Sequence, residues 1–153
     1  MAHNGYIMHN EKPRRLYADD LTEGQTLIAI DNGRWADSPT RLTKYTVKKV
    51  LKTRLVLTVA GGAHETRMIV RRDRWTPQGE VTRKIEGQGE YGSGLTIATE
   101  DDPIVEEARK RAASQQVRSR ARQAVSNADK NLNRESALAA LQALQAYLEA
   151  TPE

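Results

Sequence analysis

The fold is decided by residues 44–59, which read KYTVKKVLKTRLVLTV. From Arg54 onward, apolar and polar side chains alternate, which is typical of a strand with one buried face. In the first half the apolar spacing breaks this alternation, so we expect a β-bulge at Lys48/Lys49. The side chains that should face the core are Val47, Val50, Leu55, Leu57 and Val59. Because only residues 52–53 separate the two strands, this stretch predicts a β-hairpin.

Shorter strand patterns lie on both sides of this hairpin. They cover residues 25–31, 64–72, 80–86 and 95–99. Turn signals separate them, because Gly61-Gly62 and the pair Pro77 and Gly79 suit the backbone angles of tight turns. Short strands joined by hairpin turns predict a small antiparallel β-barrel, SH3-like or OB-like, over residues 20–100, since closure removes exposed sheet edges.

The last third of the chain predicts a helical hairpin over residues 101–153. Asp102 is a good N-cap and Pro103 suits the first helical position, so a helix should begin there and run to about residue 128. A polar link follows, and Asn133 can cap a second helix over residues 134–150. Residues 1–19 are interpreted as a polar N-terminal tail. The predicted fold class is therefore α+β, with the barrel first and the helical hairpin second.

The second predicted helix carries a row of leucines on one face. These residues are Leu138, Leu141, Leu144 and Leu148. We expect the thin apolar stripe of the first helix to pack on them. The leucine row is wider than one weakly apolar helix can cover, and three alternatives remain open: it docks on the barrel, it self-associates, or it receives another protein.

Composition excludes several classes of site. The chain of 153 residues has no cysteine, so disulfides, thiolate catalysis and sulfur-based zinc sites are ruled out. Its three histidines show no metal-ligand spacing, and no nucleophile elbow, phosphate loop or dinucleotide motif is present. The glycine-rich run at 87–94 is interpreted as a flexible loop. We expect a non-enzymatic, cytoplasmic protein with no cofactor, no metal and no membrane partner, because no apolar run or signal segment is found.

The charge is concentrated in the middle of the chain. Residues 25–90 hold 13 Lys/Arg against 7 Asp/Glu, while the flanking parts are slightly acidic. Lysine and arginine neutralise phosphates, and aromatic side chains stack on bases. The residues predicted to bind nucleic acid, DNA or RNA, are Lys44, Lys48, Lys49, Lys52, Arg54, Arg67, Arg71, Arg72, Arg74 and Lys84, with Trp35 and Trp75. The competing interpretation is that the charges only solvate the strands and the tryptophans belong to the core or its rim.

Three segments of this region carry a resemblance. Tyr45–Val50, Arg54–Leu57 and Arg67–Arg72 are similar to small β-barrel proteins encoded by bacteriophages, most of which have no assigned function. The resemblance implies a short barrel followed by helices and a phage origin, and it assigns no site residues.

The favoured hypothesis is an accessory or regulatory protein that binds nucleic acid through the basic barrel face. One alternative is a protein-interaction module, a phage product that binds a host protein through the leucine row. The other is a structural or assembly protein that forms homo-oligomers through the C-terminal helices.

Overall fold

The computed structural model describes residues 12–33, 38–59, 61–62, 64–88 and 95–151. Within them lie six strands and two α-helices. These are β1 Thr26–Asp31, β2 Arg41–Val50, β3 Arg54–Val59, β4 Glu65–Arg71, β5 Glu80–Ile85, β6 Thr96–Thr99, α1 Pro103–Lys130 and α2 Arg134–Ala150. The predicted α+β class is confirmed. The chain divides into two compact units: Met1–Ile30 with Thr43–Val105, called here the barrel unit, and Asp31–Leu42 with Glu106–Glu153, called the hairpin unit.

The barrel unit is built on one antiparallel sheet that curls into a nearly closed barrel. Its strand order is β5-β4-β3-β2-β1-β6. The register of β2 against β3 shifts between Val47 and Lys49, so the predicted bulge is confirmed. Alternation puts one side chain of each pair inside the barrel. The buried cluster is formed by Ala18, Leu21, Leu27, Ala29, Val47, Leu55, Leu57, Met68, Val70, Val81 and Ile97.

The chain enters the barrel earlier than the predicted end of the tail at residue 19. The Val81 N–H donates to the Leu16 carbonyl at 2.9 Å, and the Ala18 N–H donates to the Gly79 carbonyl at 2.7 Å. Ala18 is fully buried in the core. The end of the segment interpreted as a tail therefore runs along β5, because its few apolar side chains fill the barrel beside that strand.

Asp102 begins α1 as predicted and also anchors the N-terminal segment. Its Oδ1 accepts from the Ile104 N–H at 3.1 Å, and its Oδ2 accepts from the Arg14 N–H at 3.0 Å. A buried carboxylate is tolerated because both of its oxygens receive hydrogen bonds.

In the hairpin unit, the two helices pack through small residues and not through the leucine row. On α2 the buried or half-buried positions are Ser136, Ala140, Ala143 and Tyr147, and on α1 from residue 117 onward they are Val117, Ala121, Ala124 and Ala128. The expected packing of α1 on the leucines is therefore wrong. Alanine lets two helix backbones approach closely. These buried and half-buried positions, called here the alanine seam, therefore lie between the helices, and the leucines lie to one side.

Asn133 forms the turn between the helices. Its side chain accepts from the Ser136 N–H at 2.8 Å, and the Ser136 hydroxyl accepts from the Asn133 N–H at 3.0 Å. This capping box confirms Asn133 as the N-cap of α2. No helix in the described part of the chain is long and apolar enough to cross a membrane.

Candidate functional site

Strands β2 to β5 carry the charge excess of the chain. Residues 44–84 contain 11 Lys/Arg and 3 Asp/Glu, a net charge of +8. The register decides which of these side chains meet. Lys49 pairs with Val56, and Val56 pairs with Arg67, so the two cations flank one valine on the outer face of the barrel. Val56 is only 5% exposed, which is consistent with long aliphatic stems lying over it.

The next row on the same outer face adds two more cations. Arg54 pairs with Ile69 across β3 and β4. Lys84 precedes Ile85, which pairs with the buried Met68, so Lys84 points outward. Ile69 is 40% exposed between these charges. The structure therefore brings Lys49, Arg54, Arg67 and Lys84 together on one face, called here the basic face.

Acidic side chains neutralise part of this charge. The ion pairs of the predicted cations are Lys44–Glu100 at 3.7 Å, Lys48–Glu65, Arg54–Glu86 at 2.6 Å, Arg67–Glu65 at 4.0 Å, Arg71–Asp73 at 3.4 Å, Arg71–Glu80 at 2.9 Å and Arg72–Asp19 at 2.6 Å. The hydrogen bond from Lys48 holds the pKa of Glu65 below its usual range, so this carboxylate stays charged. Sequence reasoning missed these acids, because Glu86, Glu100 and Asp19 come from distant parts of the chain.

Several predicted cations stay unpaired. Within the described residues, no carboxylate lies within ion-pair distance of Lys49, Lys52, Arg74 or Lys84. All four side chains are exposed. They are therefore the members of the predicted set that can meet an external anion without first breaking an internal ion pair.

Arg72 has a structural role. Its guanidinium donates to the Lys52 carbonyl at 2.9 Å, to the Pro77 carbonyl at 3.0 Å and to Asp19 Oδ1 at 2.6 Å. These bonds tie the β2–β3 turn, the β4–β5 loop and the N-terminal segment together at one end of the barrel. Because three of its five N–H donors are used in this way, Arg72 positions its neighbours.

The β4–β5 loop presents an exposed tryptophan on a braced turn. Asp73 Oδ1 accepts from the Trp75 N–H, the Thr76 N–H and the Thr76 hydroxyl at 2.8, 2.8 and 2.9 Å. The Thr76 hydroxyl and the Trp75 amide hold the pKa of Asp73 below its usual value. Trp75 is 75% exposed, and the Arg74 guanidinium lies 4.4 Å from its ring centre. The core-or-rim interpretation therefore does not hold for Trp75.

The remaining predicted residues are paired with carboxylates or lie beyond the described chain. Lys44 faces Glu100, which follows β6, and Arg71 is held by both Glu80 and Asp73. Trp35 and most of the glycine-rich loop, residues 89–94, lie outside the described residues.

The leucine row of α2 forms a second surface. The exposed fractions of Leu138, Leu141, Leu144 and Leu148 are 49, 53, 41 and 69%. A groove runs beside it between the helices, lined by Arg118, Ala121, Arg122, Val125, Ser126, Asp129, Leu144 and Tyr147. Apolar side chains thus line both walls of the groove, and charged side chains of α1 border it.

Among the residues that the structure describes, no group of three or more histidine or carboxylate side chains could hold a metal ion. No family model, no curated protein and no solved structure matches this chain.

Proposed function

We propose that this chain is a non-enzymatic binding protein that holds single-stranded nucleic acid, DNA or RNA, against the basic face and Trp75. The single observation that carries the proposal is the exposed Trp75 on its braced turn, with Arg74, one of the cations that lack a carboxylate partner, against its ring. Sequence-independent binders of single strands combine cations that follow the backbone with aromatic rings on which bases stack.

The bracing of the turn supports a binding role for Trp75. An indole that is 75% exposed has little packing reason to be there, since burial of its large apolar surface would be favourable. The hydrogen bonds to Asp73 and the clamp of Arg72 fix the backbone around it. A turn whose backbone is fixed before binding loses less conformational entropy when a base stacks on its tryptophan.

The unpaired cations support an anionic partner. Lys49 and Lys84 lie on the basic face, Lys52 lies in the β2–β3 turn, and Arg74 precedes Trp75. A hydrogen bond from the Arg72 guanidinium to the Lys52 carbonyl ties that turn to the end of β4. Phosphate contacts of this kind carry little sequence information, so binding should be salt-sensitive and weakly sequence-specific.

Fluorescence anisotropy with labelled single strands of DNA and RNA tests this proposal. In the variant Lys49→Glu/Lys52→Glu/Lys84→Glu, affinity should fall by at least about 100-fold at low salt, since three phosphate contacts become repulsive. These three exposed side chains have no carboxylate partner in the described part of the chain, so the barrel should stay folded.

The matched control changes the same net charge on α1. Lys110, Arg120 and Lys130 are exposed and have no ion pair within the described ranges. The variant Lys110→Glu/Arg120→Glu/Lys130→Glu should lose less than about 10-fold in affinity, because it changes only the overall electrostatic attraction of the protein for the strand. Equal losses in the two variants, or an unmodified chain that binds no strand at low salt, would refute the proposal.

A second candidate function is protein–protein interaction through the hairpin unit. A separate observation favours it: all four leucines of the leucine row are exposed, while the alanine seam closes the hairpin without them. Exposed apolar rows of this size on a helix typically mark a contact surface.

A further inference from the structure

We propose that the leucine row of α2 and the adjoining groove pair with the same surface of a second copy of this chain, in an antiparallel arrangement about a two-fold axis. The surface lies entirely within the hairpin unit. It is independent of the barrel residues that carry the proposed nucleic-acid function.

The first step is that this surface lacks a partner within the hairpin. Ala140 is buried in the seam, whereas Leu141 and Leu144 are 53% and 41% exposed to one side of it. On the other wall of the groove, Val125 of α1 is 44% exposed. Large apolar side chains on both walls form a face that a second helical hairpin can cover, in the way that four-helix bundles are completed.

The second step is the charge pattern of α1. Arg118 and Asp129 line the two ends of the groove. They lie about three helical turns apart, or roughly 16 Å, so they cannot pair within one chain. An antiparallel second copy with its axis between residues 123 and 124 would place Arg118 opposite Asp129 of the other copy, twice over by symmetry.

The third step is that α2 carries a similar pair of opposite charges, centred at about the same height along the hairpin. Helical spacing puts Arg134 and Glu149 beside the leucine row. In the dimer, Arg134 of one copy faces Glu149 of the other across a two-fold axis that passes between residues 141 and 142. If the buried positions of the two helices are matched at equal distances from the turn, Ala121 lies level with Ala143 and Ala124 with Ala140. On that matching the two axis positions agree to within about one residue, or ~1.5 Å.

The agreement between the axis positions on α1 and α2 favours a second copy of this chain as the partner that covers the surface. Arg118 and Asp129 at opposite ends of the groove on α1, with Arg122 near the axis, and Arg134 and Glu149 at opposite ends of α2 make the ends of the surface complementary after a two-fold rotation. The size also fits. α2 has 17 residues and is about 25 Å long, and two helices side by side are about 20 Å wide, a footprint of roughly 500 Å² per partner, which reaches the ~1,000 Å² in total that a specific interface needs.

Sedimentation equilibrium of the full chain, from about 1 to 100 μM, tests the pairing. The mass should rise from one chain to two with concentration. In Leu141→Asp/Leu144→Asp the dimer dissociation constant should increase at least ~100-fold, because two buried contacts per copy are lost. Circular dichroism should show unchanged helix content, since both leucines are exposed in the single chain.

A charge swap tests the antiparallel axis. Arg118→Asp alone and Asp129→Arg alone should each weaken the dimer by about 3- to 10-fold, since each change makes two symmetry-related pairs repulsive. The double variant Arg118→Asp/Asp129→Arg should restore affinity, because the pairs re-form with opposite polarity. Lys49→Glu/Lys52→Glu/Lys84→Glu should dimerise normally.

Three results would overturn the proposal. A chain that stays monomeric at the highest concentration would assign the leucine row to a different protein. A dimer that survives Leu141→Asp/Leu144→Asp would place the interface elsewhere. A double swap weaker than either single variant would exclude the antiparallel axis.

Discussion

Gly79 is the residue on which the β4–β5 loop closes. Its φ of +79° lies in the left-handed region, and a Cβ there would come within 2.8 Å of Val70 Cγ1 and 2.9 Å of Arg72 Cζ. Gly79→Ala should lower the free energy of unfolding by roughly 2–4 kcal/mol, from backbone strain together with the clash. Urea unfolding measures this loss.

Gly24 provides the control for that substitution. Its φ is +85°, but no atom lies within 4 Å of an added Cβ. Gly24→Ala should therefore cost only the backbone strain, about 1–2 kcal/mol. Equal costs at the two positions would show that the loop does not pack against β4 as described.

Asp73 makes the braced turn sensitive to acid. Hydrogen bonds from Thr76 and from the Trp75 amide hold the pKa of Asp73 below its usual 3.8. The folded state therefore favours the charged carboxylate, so its contribution is complete above pH 3.8 and is lost as the pH falls through the lower folded value. In an NMR titration, the amide shifts of Trp75 and Thr76 should change below pH 3.8. The change should be absent in Asp73→Asn, and an inflection above that pH would contradict the assignment.

The capping box of Asn133 and Ser136 marks the start of α2 after the turn that follows α1. Asn133→Ala removes the acceptor for the Ser136 N–H, so the free energy of unfolding of the hairpin should fall by about 1 kcal/mol. Thermal denaturation followed by helix circular dichroism measures this. Asn131→Ala is the control, because only its main-chain carbonyl accepts from Ser136 and that group is kept. A loss as large in Asn131→Ala would argue against a specific capping role.

The bounds and caps of individual strands and helices could be predicted where the sequence pattern that determines them is local. The bounds of β3 and α2, the bulge beside Lys48 and the cap at Asn133 follow from alternation, helical period and cap chemistry. The packing of α1 on α2 was predicted wrongly, because hydrophobicity ranks leucine above alanine. Close approach of two helices, however, favours the smaller side chain.

For the whole molecule, the sequence predicted the charge excess but not its arrangement. Which cations remain unpaired depends on strand register and on acids from distant segments, such as Glu86 against Arg54 and Asp19 against Arg72. Of the ten predicted cations, four have no carboxylate partner among the described residues: Lys49, Lys52, Arg74 and Lys84. Arg72 changes from a candidate contact to a clamp. Such distinctions arise only when long-range contacts form, so no local pattern contains them.

The most direct test of the central claim is the salt dependence of binding to single-stranded DNA and RNA, compared with duplex. With Lys49, Lys52, Arg74 and Lys84 as the phosphate contacts, log affinity should fall with log salt at a slope of about −3 for single strands. The variant Lys49→Glu/Lys52→Glu/Lys84→Glu should flatten this slope, and Trp75→Ala should remove the preference for single strands over duplex. A slope near zero, or a preference that survives Trp75→Ala, would contradict the account.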